Sequence, residues 1–242
     1  MKIIDKSDVV QTHVILTDQM TQAWRIIVDA EKENYIKQNK VIEKAIQLLY
    51  SYSSYEDQCN ALKQLIYEHK NLILIMKILF KKSMILQTVF VLKDRFITLI
   101  LLSLIQIEVK QTEYITCIDE MLFFLNANTV SKKTLADIQN EKYTHVLTSS
   151  ELILSNEFQI IVINSAFKKW LDLVVIDEAH LISEWDKDFQ TKYAWLEQLH
   201  FLFESFISWF VCSATLNAQI LKKLKKRAGF ENDVIIIHIL ID

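Results

Sequence analysis

A run of four apolar residues that stops abruptly at two carboxylates constrains this chain more than any other stretch. It reads Leu173-Val174-Val175-Ile176, then Asp177-Glu178-Ala179-His180. Consecutive apolar residues without alternation belong to a strand buried on both faces, the habit of parallel sheets covered by helices. Adjacent carboxylates at the end of such a strand are costly to desolvate unless something cationic sits opposite. In an open α/β sheet that edge is where ligands bind. A magnesium-nucleotide site is the economical reading of these residues.

Other segments of strand length follow the same pattern: Asn71 to Met76, Thr98 to Leu104, His145 to Leu152, Ile207 to Cys212 and Val234 to Ile239. Between the central run and the strand at Ile207, Trp195, Leu196, Leu199, Leu202 and Phe203 recur at helical spacing. Alternation of strand and helix predicts an α/β domain, a parallel sheet with helices on both faces. Residues 1–50 read differently. Trp24, Ile27, Val28 and Ala30, then Val41, Ala45, Leu48 and Leu49, predict two amphipathic helices. They either pack on the main domain or serve as a partner surface. The expected division is therefore a helical extension over 1–50 and the α/β domain over 51–242.

Several function classes are excluded at this stage. A net charge of −3 rules out a generally basic coat, so any nucleic-acid surface is local. The longest apolar run, Phe96 to Ile107, is about half a membrane span and reads as a buried strand, so no membrane partner is expected. The N-terminus MKIIDKSDVV has no signal-peptide layout. Cys59, Cys117 and Cys212 are widely spaced and in apolar surroundings. They read as buried reduced thiols, suited to a nuclear or cytoplasmic protein.

The tetrapeptide Asp177 to His180, joined to Ile182-Ser183 and to Trp185, Asp188, Phe189 and Tyr193 at their spacing, resembles the DEAH box and aromatic-rich loop of RecQ-like helicases of superfamily two, fungal type. The resemblance runs from about Tyr52 to Asp242. Ser213-Ala214-Thr215, one helix and one strand after the box, extends it. So does Tyr52-Ser53-Ser54-Tyr55-Glu56-Asp57-Gln58 before Ala61-Leu62, like the entry motif of that family, an aromatic residue then a glutamine opening a helix. The implied fold is a RecA-like P-loop NTPase domain. The implied activity is ATP-dependent 3′-to-5′ DNA unwinding with ATP and Mg²⁺ as cofactors, on single-stranded or forked DNA. One motor domain is covered, so unwinding is not expected without a second RecA-like domain.

The resemblance also implies roles. Asp177 holds the magnesium, Glu178 activates the attacking water, and His180 links the site to Ser213 and Thr215, with Asp188 in the same coupling. Lys82 meets the β/γ-phosphates, with Lys81 beside it, and Ser83 meets the magnesium. Gln58 reads the adenine edge, although a polar helix cap explains it equally well. Trp185 and Phe189 sense single-stranded DNA by stacking, or else pack in the core. Ser103 and Ser150 stand on loops that touch the DNA backbone, or simply end their strands.

One departure is large. The chain holds 1 glycine and 0 prolines, where average usage predicts about 17 and about 12. Leu79, Phe80 and Lys81 stand where the family carries glycines in its phosphate loop. A non-glycine residue in a left-handed conformation costs roughly 1–2 kcal/mol, so three cost about 3–6 kcal/mol. That equals roughly two to four decades of affinity. A second function class follows from this, a catalytically inactive nucleic-acid-binding remnant. The basic stretch Leu221 to Arg227 reads as a solvated helix face ending at Gly229, with Phe230 behind it.

Overall fold

The computed structural model describes residues 6–50, 53–76, 82–92, 97–102, 122–125, 129–140, 142–143, 145–149, 152, 155–156, 158–159, 167, 169, 171–177, 179, 196, 199–203, 207–230 and 234–239. Three helices come first: α1 (Lys6–Asp29), α2 (Tyr35–Tyr50) and α3 (Glu56–Ile66). Then follow β1 (Asn71–Met76), α4 (Lys82–Leu92), β2 (Ile97–Leu102), β3 (Leu122–Leu125), α5 (Lys132–Gln139) and β4 (His145–Ser149). The remainder is β5 (Leu171–Ile176), β6 (Ser208–Ser213), α6 (Ala218–Arg227) and β7 (Val234–Ile239).

The strands form one sheet in the order β3-β4-β2-β5-β6-β1-β7, and every pairing is parallel. Strand β2 lies three places from β1, and β5 and β6 later fill the gap. All carboxyl ends therefore point to one edge, with β5, β6 and β1 side by side. At the opposite edge Asn71 Oδ1 accepts from Trp209 N at 3.0 Å and holds the start of β1 to that of β6.

Alternation along the strands sends side chains to two cores. On one face Leu72, Leu74 and Met76 of β1, Leu173 and Val175 of β5, and Phe210 and Cys212 of β6 meet α1 to α4. On the other, Ile73 and Ile75, Val174 and Ile176, and Trp209 and Val211 meet Ile138 of α5, Leu196, Leu199, Phe203 and Leu224 of α6. The fold is thus the expected α/β domain with helices on both faces and a helical N-terminal extension. The extension shares the first core, through Ala23, Ile27, Ile42, Ala45 and Ile46. Tyr67 Oη adds a hydrogen bond to Ile27 O at 3.0 Å.

Several expectations shift in detail. Val28, assigned to the buried stripe, is 44% exposed, while Ala23, Ile42 and Ile46 are buried without having been singled out. Val41, Leu48 and Leu49 are only partly buried. Each helix carries overlapping apolar stripes, and packing on the sheet chose the one rotated by about a residue, roughly 100°. Strand β6 runs one residue further than predicted and takes in Ser213, and β4 ends at Ser149. Strand β2 stops at Leu102 within the described residues. Strand β3 and helix α5 were not anticipated. Four residues and eight residues are too short for periodicity to register, though Ser131 with Thr134 forms a capping box that marks the start of α5. Helix α6 begins at Ala218, capped by Asn217 Oδ1 accepting from Ile220 N at 2.8 Å.

Helix α6 ends as read. Phe230 N donates to Lys225 O and Gly229 N to Lys226 O, with Gly229 at φ +67 and Phe230 buried. This is the paired-bond termination that places glycine at the left-handed position. Among the described residues one non-glycine adopts positive φ, His69 at +47, in the reversal where Lys70 N reaches back to Gln64 O. Cys59 and Cys212 are free and buried; burial pushes the Cys59 thiol up, against the lowering effect of its contact with Ser54. Cys117 lies outside the described residues.

Candidate functional site

The carboxyl edge of β5, β6 and β1 brings three of the motif positions together. Asp177 follows the last residue of β5, Ser213 closes β6, and α4 opens at Lys82 and Ser83, six residues after Met76 ends β1. Strand β6 separates the other two, so β5 and β1 lie two ladder spacings apart, about 10 Å.

Face matters as much as edge. Pairing of Ile176 with Val211 sets Asp177 opposite Cys212. Side chains of such partners share a face, here that of Val175 and Cys212. The same core holds Met84, Ile85, Leu86, Val89 and Leu92 of α4. The Asp177 carboxylate and the amino-terminal turn of α4 therefore occupy the same side of the same edge. Backbone N–H groups of that turn attract anions, and a buried carboxylate attracts a hard cation.

The hydrogen bonds show how rigidly this corner is held. Asp177 N donates to Leu101 O at 3.2 Å, continuing the ladder of β5 with β2. Ala179 N donates to Cys212 O at 3.0 Å, pinning the following turn to β6. The Cys212 thiol donates to Asp177 Oδ1 at 3.1 Å. Asp177 is 5% exposed and Cys212 is fully buried. On the neighbouring strand Ser213 Oγ donates to Thr215 O at 2.9 Å and accepts from Thr215 N at 3.4 Å, closing the Ser-Ala-Thr turn on itself. Ser213 is buried beneath it, and Thr215 is exposed.

Gln58 is not at an open surface. It is fully buried, and its Oε1 accepts from Tyr55 N at 3.0 Å, from the third position of the helix, as in a capping box. Capping is thus the role the structure shows for it. Glu178, His180, Lys81, Trp185, Asp188, Phe189, Ser103 and Ser150 lie outside the described residues, and of Lys82 and Ser83 the backbone is described. Cys212 is the feature that sequence reasoning missed. It was noted as a buried thiol, but its pairing with Asp177 depends on the parallel register of β5 and β6, which spacing does not encode.

No protein-family model matches the chain, and no curated protein matches it. Solved structures do. Two forms of the DUF1998 helicase MrfA, one bound to DNA and one bound to DNA and AMPPNP, superpose with a TM-score of 0.62, at 13% and 14% identity respectively. The alignments cover 81% of this chain but only 29% and 28% of the helicase, so the chain spans less than a third of that protein's length. At this identity the likeness is one of fold: the chain carries the RecA-like α/β fold that this helicase contains.

Proposed function

We propose that this chain is the first motor domain of a RecQ-like, DEAH-box DNA helicase of fungal type. It binds magnesium-ATP at the carboxyl edge of its sheet and single-stranded or forked DNA on the adjoining loops. The observation that carries this reading is the shared face and edge of Asp177 and the start of α4, with Ser213 closing the intervening strand at the same edge. The DNA and AMPPNP bound to the fold neighbour support the same two ligand classes.

The residues present fit the cation. Magnesium takes oxygen ligands and keeps several waters; Asp177 offers a buried carboxylate, and Ser83 is the second residue of α4. When bound, it neutralises charge between the β- and γ-phosphates. Lys82 contacts the same phosphates from the first position of α4, with Lys81 adding charge beside it. Glu178 accepts the proton of the attacking water. His180 and Asp188 couple the site to Ser213 and Thr215. Trp185 and Phe189 stack on unpaired bases, and Ser103 and Ser150 meet the DNA backbone. An adenine-reading Gln58 has to give up its bond from Tyr55. Unwinding with 3′-to-5′ polarity takes a second RecA-like domain besides this one. The nucleus, or else the cytoplasm, suits its free thiols.

Titration with fluorescent ATP and magnesium, with and without single-stranded DNA, tests the reading. Micromolar binding that Lys82→Ala abolishes is expected; no binding at millimolar nucleotide ends it. One observation favours the second reading, an inactive nucleic-acid-binding remnant. Leu79, Phe80 and Lys81 fill the glycine positions of the phosphate loop, and the single glycine sits at the end of α6. Single-stranded DNA bound with no response to nucleotide, at any magnesium concentration, identifies the remnant. Glycines restored at the three positions then rescue nucleotide affinity.

A further inference from the structure

We infer that the outward face of α6, together with Phe201, is a contact surface for single-stranded nucleic acid: its lysines take phosphates and the phenyl ring takes a base. The surface lies outside every motif and uses neither Asp177 nor the start of α4, so it stands whether or not that edge binds nucleotide.

From Ala218 to Gly229 the chain carries Lys222, Lys223, Lys225, Lys226 and Arg227 and no carboxylate, although its net charge is −3. A polyanion is the partner that such a local excess complements. Helical geometry then aligns the cations. Leu224 and Ala228 are buried in the second core, so the opposite side of α6 faces outward, where Gln219, Lys222, Lys223 and Lys226 are exposed. Lys222 and Lys226 stand one turn apart on that side, about 6 Å along the axis. The face starts at the carboxyl edge, since Asn217 caps α6 four residues after β6 ends. It runs back to the amino edge, from which the parallel strand β7 departs. Its ten residues span about 15 Å, the length of about four stacked nucleotides.

At the amino edge the cations meet an aromatic ring. The His200 imidazole lies so close to Gly229 that a Cβ there would overlap it, and Phe201 beside it is 87% exposed. Beneath them Phe203, Trp209 and Phe230 are buried ring against ring, with centroids 6.1 and 5.8 Å apart. This packing fixes the end of α6 to the segment that carries Phe201. Cations along a backbone track with an aromatic ring for a base are the combination that holds single strands without regard to sequence. A lipid surface fits less well, because α6 turns its apolar side into the core and has none to insert. A protein partner also fits less well, because lysine is depleted at the centres of protein interfaces.

The test uses the full chain and a fluorescein-labelled oligothymidylate, titrated over a range of salt. Lys222→Gln with Lys226→Gln is expected to weaken binding and to make the slope of log affinity against log salt shallower by about 1.4, roughly 0.7 for each phosphate contact on a single strand. Lys222→Arg with Lys226→Arg keeps the slope. Phe201→Ala weakens binding about tenfold at unchanged slope, as one lost base stack does, and Phe201→Trp keeps the affinity. An oligonucleotide bearing 5-iodouracil, irradiated on the unaltered chain, crosslinks at Phe201. Affinity and slope that stay the same in the glutamine pair and in Phe201→Ala overturn the inference. A crosslink found only at Trp185 or Phe189 does so too, while leaving the proposed DNA loops standing. If the unaltered chain binds phosphatidylserine vesicles but no oligonucleotide, and the glutamine pair loses the vesicles, the face belongs to a membrane and the inference falls. Nucleotide binding that fails while both oligonucleotide effects persist overturns the magnesium-ATP reading alone.

Discussion

Three residues carry stability consequences that their contacts make explicit. A Cβ at Gly229 would stand 2.4 Å from His200 Nε2, at φ +67. Gly229→Ala is therefore strained by its backbone at about 1–2 kcal/mol, with the imidazole also displaced. Denaturant melts should show at least that loss, and His200→Ala should recover only the steric part. His69 is the reverse case, a side chain holding a left-handed position at φ +47. His69→Gly should gain about 0.5–1 kcal/mol, the strain relieved less the added entropy of glycine. A lower melting temperature would show that the approach of His69 to Asp172, at 3.9 Å, outweighs the strain. Burial, with Glu31 adding to it, pushes the Tyr67 phenol up to about 12. The folded state then holds its proton longer than the unfolded chain, whose phenol titrates near 10. The contribution is complete below about pH 10 and is lost as pH rises from there to about 12. Tyr67→Phe should flatten stability across that window, and should cost about 0.5–1.5 kcal/mol at neutral pH through the lost hydrogen bond to Ile27 O, which keeps Ala30 N as a donor.

At the scale of elements, the buried face of a helix weighs more than its cap. Asn217→Ala should cost about 1 kcal/mol, because Asn217 caps α6 from its side-chain oxygen. In α2, Ile46→Ala should cost about 2–5 kcal/mol, since Ile46 is fully buried. Val28→Ala, on the exposed side of α1, should fall within about 0.5 kcal/mol of neutral. The contrast explains what could be read in advance. Strands β1 and β7 were delimited to the residue, because each is a β-branched and apolar run, β1 flanked by Lys70 and Lys77 and β7 preceded by Asp233. The existence of α1 and α2 was equally plain, but not the stripe each one buries, because Val28 and Ile27 satisfy helical spacing alike and only the sheet beneath distinguishes them. Asp177 and Ser213 were identifiable because their chemistry is local. Cys212 was not, since its partner lies 35 residues away across a register that only folding defines.

For the molecule as a whole, the N-terminal helices are structural members rather than attachments. Ala23, Ile27, Ile42, Ala45 and Ile46 are buried in one core with β1, β5 and β6. Burying each larger apolar side chain stabilises by roughly 1.5–3 kcal/mol. A chain lacking residues 1–50 should therefore bare the face formed by α3 and α4 and should aggregate or lose cooperativity in thermal melts; a truncated form that stays monomeric and melts sharply would refute this. The sole glycine has a further bearing on ligand affinity. Being placed at the far end of α6, it leaves the turn after β1 without the residue that lets amides curl around an anion. On the proposed nucleotide reading, the glycine-free sequence between β1 and α4 shifts phosphate binding toward long-range attraction by ammonium groups and the pole of α4. Such attraction weakens steeply as added salt shortens the reach of charge, so ionic strength, more than nucleotide concentration, should govern occupancy of this edge.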